Sequence, residues 1–225
     1  MPTPKHIAAL ACTLLCTALF AQQKGTFTDT RDGKVYKTVK ISEQVWMAEN
    51  LNFAVEGSRC YNDSTAYCGK YGRLYNWNTA KTACPNDWHL PSDKDWNVLR
   101  DFVNPGCSKS SYGYTSFRCN GVGTKLKATS GWKDYEGKSG NGEDKYDFSA
   151  LPGGFSYSGS NFYNVGSKGY WWTASESEYD NAKYAIYMIM SYDGNNSAFS
   201  GNNKNYFRSV RCIQNTPAPP KGEAK

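Results

Sequence analysis

The first part of the chain alternates hydrophobic and polar residues and predicts a β-hairpin. Val35, Val39 and Ile41 fall on one face of an extended segment, 35–41. Segments 26–30 and 35–41 flank Asp32-Gly33, and an Asp-Gly pair between two such runs is a strong hairpin signal. The pattern of residues 43–47 indicates a further strand, which leads into residues 50–52.

Helical patterns occupy the next part of the chain. Segment 75–83 predicts a short helix that ends before Pro85. A second helix is predicted to begin at Ser92, which can cap it, with Asp95 three residues later. Its expected apolar face consists of Trp96, Leu99, Phe102 and Val103. A tight Trp-His-Leu-Pro corner at 88–91 joins the two helices.

Segment 104–169 has no regular pattern and is rich in Gly, Ser, Asn and Tyr. A stretch of this length in a compact domain is either a functional loop region or contains a strand that the pattern hides. Three strand-like runs follow at 170–174, 183–192 and 206–213, the last two separated by 193–196. Mixed helices and strands with a long loop region predict one α+β domain over 22–213. The Pro-rich segment 214–225 is expected to be an extended tail.

The first 21 residues have the pattern of a secretory signal peptide. Lys5 and His6 form a short basic region, 7–20 is apolar apart from two threonines, and Ala21 is the expected cleavage point. The apolar run is shorter than the roughly 20 residues that a membrane-spanning helix needs. Cys12 and Cys16 leave open the alternative of a lipoprotein, in which a cysteine at the end of the apolar run is acylated and retained. We expect a secreted or cell-surface protein, periplasmic or outer-membrane associated in some settings, with no transmembrane segment in the mature chain.

The chain has eight cysteines, and six remain when the two in the signal segment are removed. An even number in an exported chain indicates disulfides, although six cysteines allow fifteen pairings. Proximity favours Cys60–Cys68 and Cys107–Cys119, which leaves Cys84–Cys212. A zinc site would need closely spaced cysteine pairs or clustered histidines, and neither is present.

Composition narrows the function classes. The formal net charge of +6 is small and dispersed, and no basic run with interleaved aromatics argues for a nucleic-acid partner. Aromatic residues make up 15% of the chain, so its polar, glycine-rich stretches indicate ordered loops and not disorder.

Several spaced motifs resemble the Fibrobacter succinogenes major paralogous domain family. The resemblance runs from about Phe27 to Ile213. The motifs that carry it are Asp32-Gly33-Lys34-Val35-Tyr36, Trp46-Met47-Ala48-Glu49-Asn50-Leu51, Gly72-Arg73-Leu74-Tyr75-Asn76-Trp77, Cys84-Pro85, Trp88-His89-Leu90-Pro91-Ser92 with Trp96, Phe148-Ser149-Ala150-Leu151-Pro152-Gly153-Gly154, Trp171-Trp172-Thr173-Ala174-Ser175-Glu176 and Ser209-Val210-Arg211-Cys212.

The resemblance implies a secreted or surface-associated bacterial protein without an assigned biochemical role. The Leu-Pro-Ser corner and the terminal Arg-Cys are also similar to the formylglycine-generating enzyme superfamily, which implies a C-type-lectin-like fold. That fold has two helices on a small twisted antiparallel sheet and a long loop region. Fold analogy does not carry function across.

Two enzyme hypotheses are weak. A formylglycine-generating oxidase would need a second cysteine near Cys212 to bind copper, and Cys212 already has a structural partner in Cys84. A hydrolase triad would need His89, the only histidine of the mature chain, which we expect to be structural in its corner. We therefore expect no catalytic residues and no cofactor.

The remaining hypotheses concern binding. Glu143, Asp144 and Asp147 could offer oxygen ligands to calcium, although a solvated acidic turn explains them as well. Tyr157, Phe162 and Tyr163 lie in a Gly/Ser-rich loop and are the best candidates for stacking on a sugar, against the alternative of loop-anchoring side chains. The six scaffold tryptophans are expected in the core: Trp46, Trp77, Trp88, Trp96, Trp171 and Trp172.

We conclude from the sequence that the protein is a disulfide-stapled, non-catalytic binding or adhesion module of the envelope or cell surface. Extracellular polysaccharide is the expected partner. The alternative is a structural envelope protein whose loops contact other proteins.

Overall fold

The computed structural model describes residues 23–107 and 118–216, and the predicted first hairpin is present there. Gly33 forms its turn with a φ of +74°, a backbone conformation that favours glycine. The hairpin belongs to a five-stranded sheet. In spatial order its strands are β1 (Lys24–Thr28), β2 (Val35–Ile41), β3 (Gln44–Met47), β14 (Ile213–Gln214) and β6 (Trp88–His89). The first and last described strands therefore lie in one sheet.

A second sheet has seven strands. In spatial order these are β4 (Ser58–Arg59), β5 (Leu74–Tyr75), β13 (Arg208–Ser209), β10 (Lys168–Glu176), β11 (Tyr184–Ser191), β12 (Ser197–Asn203) and β7 (Arg118–Cys119). The pair β10–β13 is parallel, and the other pairs are antiparallel. A separate hairpin consists of β8 (Phe155–Tyr157) and β9 (Asn161–Tyr163).

The two predicted helices are confirmed as α2 (Trp77–Ala83) and α3 (Asp93–Val103), and α1 (Thr65–Tyr71) and α4 (Val122–Leu126) accompany them. Ser92 caps α3 in a capping box with Asp95, as the sequence predicts. The expected apolar face is wrong at one position, because Phe102 is 48% exposed and Arg100 is buried in its place. Within 23–107 and 118–216, no helix has the length and apolar character needed to cross a membrane.

The core lies on both faces of the seven-stranded sheet. Alternation along β10 sends Trp171 to one face and Trp172 to the other, where each joins a separate apolar cluster. All six tryptophans that were expected in the core are buried. The large aromatic core fits the α+β architecture that the sequence predicts.

The prediction of one terminal strand over 206–213 is wrong. Segment 208–209 pairs with β10 and β5 in one sheet, whereas Ile213 pairs with Trp46 and His89 in the other. The chain between them crosses from sheet to sheet, and its backbone carbonyls at Val210 and Cys212 accept bonds from Leu51 and Met47. The sequence also failed to indicate β12, whose polar, glycine-containing residues pair along β11.

All three predicted disulfides are present: Cys60–Cys68, Cys84–Cys212 and Cys107–Cys119, with Cα–Cα distances of 5.0, 5.9 and 5.5 Å. Multiple disulfides are typical of an oxidising compartment outside the cytoplasm. The predicted signal peptide and the tail beyond residue 216 lie outside the described residues.

Candidate functional site

The β8–β9 hairpin carries the three aromatic residues that the sequence singles out. Its strands pair Phe155 with Tyr163 and Ser156 with Phe162. The turn has left-handed backbone at Ser158 and Gly159, and Ser160 donates to the carbonyl of Tyr157 at 3.1 Å. Because side chains alternate along a strand, Phe162 lies on the opposite face from its neighbour Tyr163.

One face of this hairpin presents tyrosine rings to solvent. Tyr157 is 38% exposed and Tyr163 is 43% exposed. Their ring centroids are 5.1 Å apart, and Tyr206 lies 4.6 Å from Tyr157 in an edge-on contact. Phe155 is buried beneath and stacks on Tyr163 at 5.6 Å. We call Tyr157, Tyr163 and Tyr206 the tyrosine face.

Phe162 does not contribute to the tyrosine face. It is half-buried and packs against Tyr61 at 5.1 Å between ring centroids, in a small cluster with Leu74 and Phe207. The structure thus brings together two of the three predicted residues. The third anchors the hairpin to the domain, the role that the sequence offered as the alternative for all three.

A buried arginine lies under the tyrosine face. Arg208 is 1% exposed, and its Cζ atom lies 3.9 Å from the ring centroid of Tyr187 and 4.6 Å from that of Trp172. Its Cζ is also within 5.6 Å of the Phe155 and Tyr206 centroids. Such cation–π contacts fix rings relative to one another. Arg208 therefore supports the exposed tyrosines from below.

Burial lowers the pKa of Arg208, and its electrostatic interaction with Tyr187 opposes this effect. Its Nε and Nη1 atoms have no hydrogen-bond partner among residues 23–107 and 118–216. Unpaired buried donors are costly, so their presence at one site indicates that the aromatic surround compensates the charge. Sequence reasoning missed Arg208 because a single arginine in a short strand has the pattern of an exposed residue. It missed Tyr206 because 206–213 was predicted as one strand.

A polar cleft opens elsewhere, above Asn50. Its volume is about 290 Å³, and Lys34, Lys37, Lys70, Glu49 and Asp144 line it with Asn50. Asn50 Oδ1 accepts from Trp171 Nε1 at 2.8 Å and from Arg211 Nε and Nη2 at 3.1 and 2.8 Å. Burial lowers the pKa of Arg211 to about 9. Asn50 thus holds the segment between β13 and β14, which crosses from one sheet to the other, against the core.

The acidic residues considered for calcium do not form a cluster. Asp147 pairs with Lys24 at 2.7 Å, and Asp144 accepts from the backbone and hydroxyl of Ser149 at 2.7 and 2.6 Å. In the part of the chain that the structure describes, no group of three or more His, Cys, Asp or Glu side chains is placed to hold a metal ion. The calcium hypothesis therefore has no assembled site here.

The residues of the two enzyme hypotheses lie in the scaffold. His89 Nδ1 is 2.6 Å from Asn215 Oδ1, and Nε2 is 3.7 Å from Asp95 Oδ2. The same Asp95 oxygen accepts from the Ser92 hydroxyl at 2.6 Å. The carboxylate therefore stands between serine and histidine, which is not the order of a hydrolase triad. Cys212 is bonded to Cys84.

The His89–Asp95 pair gives a pH dependence of stability. The nearby Asp95 carboxylate raises the pKa of His89, and the nearby His89 imidazole lowers the pKa of Asp95 to about 2. The contribution of His89 to the free energy of unfolding is complete below the ordinary histidine pKa of 6.5, and it is lost as the pH rises above that value. The Asp95 contribution is complete above 3.8 and is lost as pH falls towards 2.

We therefore expect His89→Gln to lower the thermal midpoint more at pH 5 than at pH 8. The His89–Asp95 pair is partly exposed, so it contributes at most about 1 kcal/mol to the free energy of unfolding. Thermal unfolding of both proteins at the two pH values measures the difference. An equal loss at both would contradict the assignment.

The sequence model of the Fibrobacter succinogenes major domain family matches residues 39–214. The match covers most of the chain and includes the tyrosine face and Arg208. No curated protein and no solved structure matches the chain.

Proposed function

The chain belongs to the Fibrobacter succinogenes major domain family, and on that premise we propose that it is a secreted or cell-surface, non-catalytic module that binds polysaccharide. The observation that carries the proposal is the tyrosine face, where Tyr157 and Tyr163 are exposed side by side. Exposed aromatic rings that lie side by side complement the apolar C–H face of a sugar.

The surroundings of the tyrosine face support this proposal. Asn161 and Asn164 lie beside the rings and are exposed, so amide groups are available for sugar hydroxyls. Asn164 Nδ2 donates to the Tyr170 hydroxyl at 2.9 Å, which orients the amide. Rings with few rotatable bonds, packed on Phe155 and Arg208, lose little conformational entropy when a ligand binds.

The C-type-lectin-like fold is part of the same proposal. Its support is that the first strands and the last strand share a sheet, and that the segment between α4 and β8 is without long elements. A crystal structure superposed on C-type lectins tests it, and a different order of strands around β10 would overturn it.

Alanine at Tyr157 and at Tyr163 is expected to weaken binding of the preferred polysaccharide. Central aromatic contacts contribute about 2 kcal/mol each when truncated, which corresponds to about a 30-fold weaker Kd. The preferred sugar is first found on an array of plant-wall and bacterial glycans, with and without a chelator. The Kd of each variant is then measured by titration calorimetry.

Tyr135→Ala is the matched control, because Tyr135 is 41% exposed but lies outside the hairpin. Tyr157→Phe keeps the ring and should keep most of the affinity. A blank array would overturn polysaccharide binding and favour the alternative of a structural envelope protein. Binding that the chelator abolishes would instead favour a calcium site.

A further inference from the structure

An open groove lies beside the turn of the β8–β9 hairpin, where Arg59 packs against Gly159. Its volume is about 470 Å³, and Arg59, Arg73, Ser58, Cys60, Thr65 and Phe207 are among the residues that line it. We call it the arginine groove. Antiparallel pairing of β4 with β5 places Arg59 opposite Leu74. Arg73 directly precedes Leu74, and both arginines line the groove at this edge of the sheet.

Arg73 is held in a fixed orientation. Its Nε donates to Ser58 Oγ at 2.9 Å, and its Nη1 lies 3.5 and 3.7 Å from the sulfurs of Cys60 and Cys68. No hydrogen-bond partner of Nη2 is found among the described residues, and the side chain is only half-buried. A guanidinium that is already oriented loses little entropy when it binds a carboxylate in a bidentate manner.

Arg59 connects the groove to the hairpin. A Cβ atom added at Gly159 would lie 2.5 Å from Arg59 Nε, so this side chain packs on the hairpin turn. Its ion pair with Asp63 spans 3.5 Å between two exposed groups. Such a pair contributes little and can be exchanged for a ligand carboxylate. Asp63 is the acidic residue among those that line the groove, so the lining carries a net positive charge.

We propose that the arginine groove binds the carboxylate groups of an acidic polysaccharide, such as a polymer of uronic acids. This inference rests on the proposed function and names the class of its ligand. Tyr206 belongs to the tyrosine face, where it contacts Tyr157, and the next residue, Phe207, lines the groove. A polysaccharide chain that crosses the hairpin turn therefore reaches both surfaces, with its rings on the tyrosines and its carboxylates on the arginines.

The test compares polygalacturonate with its fully methyl-esterified, neutral form in affinity electrophoresis at pH 7 and fixed low salt. The wild type is expected to bind the acidic polymer at least tenfold more tightly. Arg59→Gln and Arg73→Lys should remove most of this preference and leave the affinity for the ester unchanged. Lysine keeps the charge of Arg73 but loses its planar fork.

Arg118→Gln is the matched control, since it removes the same charge from an exposed position on β7. Equal binding of both polymers, lost in Tyr157→Ala, would overturn the groove assignment and leave the proposed function standing. An equal loss in Arg118→Gln and Arg59→Gln would also overturn it, because the preference would then reflect overall charge. Thermal unfolding of each variant shows that the fold is retained.

Discussion

Replacing both Cys84 and Cys212 by alanine is expected to lower the free energy of unfolding by about 5 kcal/mol. The two cysteines are separated by 128 residues, so the bridge removes a large part of the conformational freedom of the unfolded chain. It joins the end of α2 to the buried crossover between β13 and β14. The variant should unfold at much lower urea concentration under oxidising conditions.

The Cys60–Cys68 bridge offers the matched comparison. Its sequence separation is 8 residues, and the same entropic relation gives about 2.5 kcal/mol for its removal. Urea unfolding of both double variants measures the two losses. Equal losses would contradict the view that the long bridge stabilises the fold by closing a loop of 128 residues.

Replacing Asn50 by leucine is expected to lower the free energy of unfolding by about 4 kcal/mol. Leucine has the same number of side-chain heavy atoms and the same branching at Cγ, so it leaves no cavity and the loss comes from hydrogen bonds. It leaves the buried Arg211 guanidinium and the Trp171 indole without their common acceptor, and each unpaired buried donor costs about 1 to 3 kcal/mol. The Tyr71 carbonyl also loses its bond from Asn50 Nδ2 at 2.8 Å.

Asn50→Asp separates the acceptor role of Asn50, toward Arg211 and Trp171, from its donor role toward Tyr71. Aspartate keeps the acceptor and adds a negative charge beside Arg211, but it removes the donor to Tyr71. We expect its loss to be less than half that of leucine in the same urea experiment. Equal losses would show that the donor side of Asn50, and not its contact with Arg211, holds the crossover.

The sequence was sufficient where local rules decide the structure. Asp32-Gly33 formed the expected turn, and the Ser92 cap began α3 at the expected place. Spacing predicted two of the disulfide pairs, and elimination left Cys84–Cys212 as the third. These features depend on residues that are near in sequence or that have only one partner left.

The tyrosine face could be predicted only in part, because tertiary contacts determine it. The strand alternation that separates Phe162 from Tyr163 was hidden in a loop-like composition. Tyr206 and Arg208 join the site through pairing of β13 with β10, and nothing in their local pattern indicates this contact. Arg100, which replaces Phe102 in the buried face of α3, likewise lies against Phe199 from another sheet strand.

The most direct test of polysaccharide binding by the tyrosine face is the ratio of two dissociation constants for the best array ligand. One is that of Tyr157→Ala, and the other is that of Tyr135→Ala. We predict that the first variant binds about 30-fold more weakly than the second, while their thermal midpoints agree. Equal dissociation constants would contradict the assignment of the site to the β8–β9 hairpin.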